Sequence, residues 1–173
     1  IGFPSIDDAG NCVSEIIAKG IIPAGMEIMD KALTKATNDF AKSGYPTDAE
    51  AMMIVELDGT EKEVGELINK VQKIAEKNNS SSIKISKTNE ERLKFWAGRK
   101  AAFPACGVLA PDYLCMDGSI PRSKLAEVLK EIDRLSKKYD LPVANAFHAG
   151  DGNLHPLIMF DANDKESLRK TEE

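Results

Sequence analysis

The stretch Ala144-Asn-Ala-Phe-His-Ala-Gly-Asp-Gly-Asn-Leu-His-Pro-Leu-Ile-Met-Phe160 constrains this fold more than any other. Apolar, strand-like runs flank a turn-rich centre, which predicts an antiparallel hairpin. Asp151-Gly152 is a favoured two-residue turn, since the reversal needs the positive φ that Gly adopts without steric cost. Such a turn sets His148 directly opposite His155, with Cβ atoms roughly 4.5–5.5 Å apart on one face. These are the chain's two histidines. Two neutral imidazoles at that spacing can share a divalent cation. The alternative is structural: the rings hydrogen-bond or stack and hold nothing. As a catalytic zinc site the pair is incomplete, because such sites take three protein ligands and an open position, and no third is obvious nearby. Asp151 and Asn153 add polar groups, but turns recruit both types for backbone reasons alone. Pro156 predicts a missing ladder partner on one side of its strand, an edge or a bulge.

A length of 173 residues is enough for one domain with a real core. The formal charge of −5 comes without a basic block, which argues against nucleic acid as a partner. No apolar run approaches the roughly 20 residues of a membrane span. Cys12, Cys106 and Cys115 are odd in number and lack metal-type spacing, so a reducing, cytoplasmic setting is expected. The chain opens at Ile1 and closes within a helical pattern, which suggests a piece of a longer protein.

Helix signals recur along the chain. Ser5 opens a helix that Gly20 stops, and Asp30 caps one to Ser43 before Gly44. Thr60-Glu-Lys-Glu63 is a capping box, Thr88 starts a helix that Pro104 stops, and Asp164 starts the last. Pro121 begins a long helix with Leu125, Val128, Leu129, Ile132 and Leu135 inside. Strands are expected within 21–29, at 51–57, at 82–86 and within 109–116. The combination predicts an α+β domain, an antiparallel or mixed sheet with helices packed mainly on one face. A doubly wound parallel sheet fits poorly, since its longer apolar strands and a Gly-x-Gly-x-x-Gly fingerprint are lacking.

Phe95-Trp-Ala-Gly-Arg-Lys100 places Phe95 with Arg99, and Trp96 with Lys100, on shared helical faces. An Arg stiffened by aromatic neighbours offers a two-pronged grip on a carboxylate. It can equally lie along an apolar face with its head in water. Asp117 or Ser119 suits a helix cap before Pro121, Tyr113 and Cys115 can line a cavity, and Met52 and Met53 read as core filler.

Taken together, Phe95–Phe103, Pro111–Arg122 and the His hairpin resemble the C-terminal domain of FAD-linked oxidases acting on glycolate, D-lactate and D-2-hydroxyglutarate. The similarity extends to Tyr45-Pro-Thr-Asp48 and Glu56-Leu-Asp-Gly59. It implies a ferredoxin-like α+β substrate domain, residues 1–173, closing over an FAD held by a separate N-terminal domain. It also implies that His148 and His155 ligate a divalent metal, zinc for preference, and carry the catalysis. Arg99 matches the arginine for the substrate carboxylate, and Asn153 lies where a polar side chain meets substrate or metal. The implied substrate is a small 2-hydroxy acid, with other oxidase subunits as partners, membrane association through them, and a homo-oligomer left open. Relatives that take dicarboxylates carry a Lys where Cys115 stands here, which favours glycolate or lactate. The flavin domain and a downstream Gly-Glu-His-Gly stretch are absent, so these 173 residues alone are expected to be inactive. A stand-alone metal-binding or interaction module without redox activity is the alternative.

Overall fold

Five short polar side chains decide where helices begin. Ser5, Asp30, Thr60, Thr88 and Asp164 each accept a backbone N–H from the following turn, satisfying donors that a helix start leaves orphaned. In the computed structural model, which describes residues 1–173, they open α1 (Ile6–Ala18), α2 (Lys31–Ala41), α3 (Glu61–Lys77), α4 (Asn89–Lys100) and α7 (Lys165–Glu172). Thr60 and Glu63 form the expected reciprocal capping box. α1 stops at Gly20, whose φ is +73°. α2 stops earlier than expected, at Lys42, because the Asn38 side chain accepts the N–H groups of Gly44 and Tyr45 and turns the chain there. Pro104 does not end a helix. It sits in the first turn of the short α5 (Ala102–Ala105), where its missing N–H costs nothing.

Seven strands make one fully antiparallel sheet: β1 (Gly2–Phe3), β2 (Gly25–Asp30), β3 (Ala51–Glu56), β4 (Asp112–Cys115), β5 (Gly118–Ser119), β6 (Val143–His148) and β7 (Asn153–Phe160). Their order is β1-β3-β2-β6-β7-β4, with β5 also beside β7. The expected strand at 82–86 is absent. Ser82 alone bridges to Gly2, because the two-residue β1 offers no further ladder.

The two faces of the sheet carry separate cores. Phe3, Met26, Ile28, Met53, Phe147 and Leu154 meet Val13, Ile16, Val71, Ile74, Leu125 and Leu129 of α1, α3 and α6 (Leu125–Tyr139). Met29, Met52, Ala146, Leu157 and Met159 meet Leu33, Ala102 and Cys106 on the other side, toward α2, α4 and α5. The α+β class with an antiparallel sheet is borne out, and the three longest helices share the first face. In α6, Leu135 stays 38% exposed, since the Ser136 hydroxyl turns inward instead, donating to Leu141 O. That helix is preceded by a 3-10 turn at Arg122–Lys124, and neither Asp117 nor Ser119 caps it.

Pro156 marks a gap in one ladder. β4 and β5 run past β7 in one register, Cys115 opposite Leu157 and Gly118 opposite Leu154. Between them Met116 N donates to Pro156 O at 2.9 Å. Pro has no N–H to return the bond, so the strand breaks there.

A buried Glu-Arg-His cluster as candidate active site

The histidine hairpin forms, but in a register two residues from the expected one. His148 lies opposite Asn153, and His155 opposite Ala146. The reversal uses four residues, Ala149–Gly152, with the N–H groups of Asp151 and Gly152 both reaching His148 O at 3.0 and 3.1 Å. Of the two expected turn centres, Gly152 alone has positive φ, +74°, whereas the type I′ turn that Asp-Gly favours needs it at both. A tertiary contact accompanies the longer loop: Gly150 N donates to Met26 O of β2 at 3.1 Å. Side chains alternate with period two, so a shift of two preserves the face. The imidazoles remain neighbours, now diagonal, with centroids 5.2 Å apart and planes at 90°.

They sit on the face covered by α2, α4 and α5. There Glu27 of β2 is directly opposite His148. Glu27 is 8% exposed and Arg99 7%, so Arg99 does not keep its head in water. Arg99 Nε donates to Glu27 Oε2 at 3.0 Å, while Glu27 Oε1 lies 2.8 Å from His148 Nδ1. Arg99 Nη2 is 3.0 Å from Oε2 but makes no hydrogen bond to it or to anything else. A buried charge is tolerated where it is paired, so one carboxylate neutralises the guanidinium while part of the fork stays unspent.

Arg99 owes its position to its neighbour. Gly98 lies so close to Tyr45 and Ser43 that a Cβ there would be within 3.0 Å of both. α4 therefore settles onto Tyr45, whose hydroxyl donates to Phe95 O, and the next side chain drops onto the sheet. Burial pushes the Tyr45 phenol up to about 12, keeping it a neutral donor. Trp96 donates to Glu56 and packs over Gly25, so the same helix also grips the start of β2.

The second imidazole has its own surroundings. His155 meets the Phe103 ring edge-on at 6.2 Å, and its Nδ1 is 3.8 Å from Asp117 Oδ1. That oxygen also accepts Asn153 Nδ2 at 2.8 Å, which leaves the buried Asn153 Oδ1 without a partner. His148, His155, Arg99 and Asn153 thus gather in one region. Tyr113 and Cys115 instead lie exposed on β4. Glu27 and Asp117 were not foreseen as site residues. The available signal was Glu27 as a lone carboxylate among Met26, Ile28 and Met29.

The donor set fits a metal in part. Both imidazoles turn Nδ1 toward a carboxylate, an arrangement that leaves Nε2 free as a ligand. Yet no group of three His, Cys, Asp or Glu side chains able to hold a metal ion forms within residues 1–173.

Comparison with known proteins agrees with this architecture. The chain is 52% identical over 171 residues to glycolate oxidase subunit GlcD of Escherichia coli (strain K12), covering 99% of this chain and 34% of that protein. It is 33% identical over 172 residues to the mitochondrial D-lactate dehydrogenase (cytochrome) of Arabidopsis thaliana, covering 98% of this chain and 30% of that one. The chain thus spans about a third of these relatives. The structure of 4-ethylphenol oxidase from Gulosibacter chungangensis superposes with a TM-score of 0.64 over 98% of this chain and 41% of that chain, at 12% identity, a likeness of fold alone. A family model described as FAD linked oxidases, C-terminal domain, matches residues 1–173, and the chain belongs to that family.

Proposed function

We propose that residues 1–173 are the substrate domain of a flavin-dependent 2-hydroxy acid oxidase or dehydrogenase, acting on glycolate or D-lactate. The observation that carries this reading is the buried, partly unspent guanidinium of Arg99 beside two adjacent imidazoles. A 2-hydroxy acid presents a carboxylate and a hydroxyl on adjacent carbons, and the cluster offers a partner for each. Arg99 Nη2 binds the carboxylate, which fixes the α-carbon and its hydrogen. His148, with Nδ1 held by Glu27, offers Nε2 toward the hydroxyl, and His155 does so from the neighbouring ring. Asn153 Oδ1 is a further acceptor for the hydroxyl.

His148 and His155 supply two nitrogen ligands to a divalent cation, zinc by donor type, and a third protein ligand comes from outside these residues. The cation, when bound, lowers the pKa of the substrate hydroxyl. An FAD held by a separate domain would supply the hydride-accepting chemistry. Without those parts the 173 residues alone are inactive. Cys115, exposed on β4, brings no cation for a second carboxylate, which suits a monocarboxylate. The designation of the Escherichia coli relative as a subunit supports further oxidase subunits as partners. The setting we propose is cytoplasmic, with membrane association through those subunits. No helix here is long and apolar enough to cross a membrane.

The test is kinetic, in the full-length flavoenzyme. Arg99→Lys keeps the charge but loses the fork, and is expected to raise KM for glycolate at least tenfold. His148→Ala is expected to lower both activity and bound zinc. Unchanged KM in the first variant, with unchanged metal content in the second, removes the assignment.

A further inference from the structure

We infer that Glu27 is a positioning residue that sets the spacing between the carboxylate-binding and hydroxyl-binding halves of the site. The inference rests on the function proposed above. Three observations carry it. Glu27 divides its two oxygens between two groups, Oε2 accepting from Arg99 Nε and Oε1 facing His148 Nδ1. It is fixed on a central strand, since β2 is paired along one edge to β3 and along the other to β6. And the arrangement is locked by burial, because Glu27 and Arg99 are among the few buried charged residues of the domain.

The consequence is geometric. A carboxylate's two oxygens are rigidly related, so a guanidinium on one and an imidazole on the other have a fixed separation and relative orientation. Contact with Oε1 makes Nδ1 the protonated nitrogen of His148 and turns the Nε2 lone pair away from Glu27. Nε and Nη2 of Arg99 both lie 3.0 Å from Oε2, yet only Nε donates to it, so this contact fixes the guanidinium while leaving the Nη2 donors unengaged. One side chain thereby aims both groups, which stand on different elements, β6 and α4. Charge neutralisation alone needs only one of these contacts. The division of the two oxygens is what distinguishes positioning from simple pairing.

Two variants separate the ideas. Glu27→Asp keeps the charge, and so the pairing of Arg99, but its shorter stem cannot reach both partners from the same strand position. Glu27→Gln keeps the length but removes the charge and presents an amide donor to one partner. Both would be made in the full-length flavoenzyme and measured for thermal stability, flavin content, steady-state kinetics with glycolate and D-lactate, and affinity of the metal-free enzyme for zinc chloride. Glu27→Asp is expected to melt near wild type yet lose about 10–100-fold in zinc affinity, the usual range for a residue that orients a metal-ligating His. It is also expected to raise KM and lower kcat together. Glu27→Gln is expected to show the same losses with reduced stability, and its failure to fold would leave the Asp variant to decide.

Recovery of both stability and catalysis by Glu27→Asp would overturn positioning, since charge alone would then suffice. Zinc affinity and KM within twofold of wild type in that variant would do the same. A wild-type enzyme that binds zinc but oxidises no 2-hydroxy acid would instead remove the functional reading, leaving the zinc titration of Glu27→Asp to judge Glu27. If wild type neither binds zinc nor oxidises a 2-hydroxy acid, both fall.

Discussion

Two Gly→Ala substitutions inside helices are expected to move stability in opposite directions. In a helix interior Ala is favoured over Gly by about 0.8–1 kcal/mol, through lost backbone freedom in the unfolded chain. Gly65 of α3 is exposed and has nothing within 4 Å of a Cβ, so Gly65→Ala should realise most of that gain. Gly98 of α4 is buried, and a Cβ there would meet Ser43 Oγ and the Tyr45 ring and hydroxyl inside 3.0 Å. Ser43 Oγ has no hydrogen bond to lose and can rotate. Tyr45 cannot yield so easily, being 8% exposed and tied to Phe95 O. Overpacking of this kind costs about 1–3 kcal/mol, and the rigid partner argues for the upper end. After subtracting the helix gain, Gly98→Ala should be destabilised by about 1–2 kcal/mol. At about 2–4 °C per kcal/mol for a domain of this size, its Tm should fall by about 2–8 °C while that of Gly65→Ala rises by about 2–4 °C. Circular dichroism melts of both variants beside wild type provide the measurement. A Gly98→Ala protein melting at or above wild type would refute the close approach of α4 to Tyr45, and with it the account of why Arg99 is buried.

Gly152→Ala should cost more than Gly20→Ala, by urea denaturation. Both carry positive φ, but a Cβ on Gly152 would collide with Ile120 O whereas Gly20 has open space, so the second bears only the left-handed penalty of about 1–2 kcal/mol. Thr60→Ala should lose about 1 kcal/mol with the α3 capping box, read as a lower urea midpoint at unchanged slope. A thiol reagent should label Cys115 first in the native protein. Cys115 is exposed, while burial raises the thiols of Cys12 to about 12 and Cys106 to about 11. Fast labelling of two or three thiols would contradict the packing around Cys12 and Cys106.

The local sequence was a good guide wherever one short-range interaction dominates. Ser5, Asp30, Thr60, Thr88 and Asp164 mark helix starts because each cap is made within three residues. The stretch 82–86 alternates like a strand yet pairs only at Ser82, since a strand exists only where a neighbour supplies a ladder. Arg99 was equally compatible with a water-exposed or a buried head. Its fate turned on Gly98 and on Glu27, which is 72 residues away.

What the amino-acid order determined by itself was the parity of the hairpin: His148 and His155 project to one face in any register displaced by an even number of residues. Whether they stand directly opposed or diagonal, and which acid and which arginine meet them, was decided by tertiary contacts. The Gly150–Met26 bond accompanies the four-residue loop, and the β2–β6 pairing brings Glu27 against His148. The physical reason is range. Side-chain alternation is built into every strand residue, whereas register and charge pairing depend on groups that meet only once distant segments have packed.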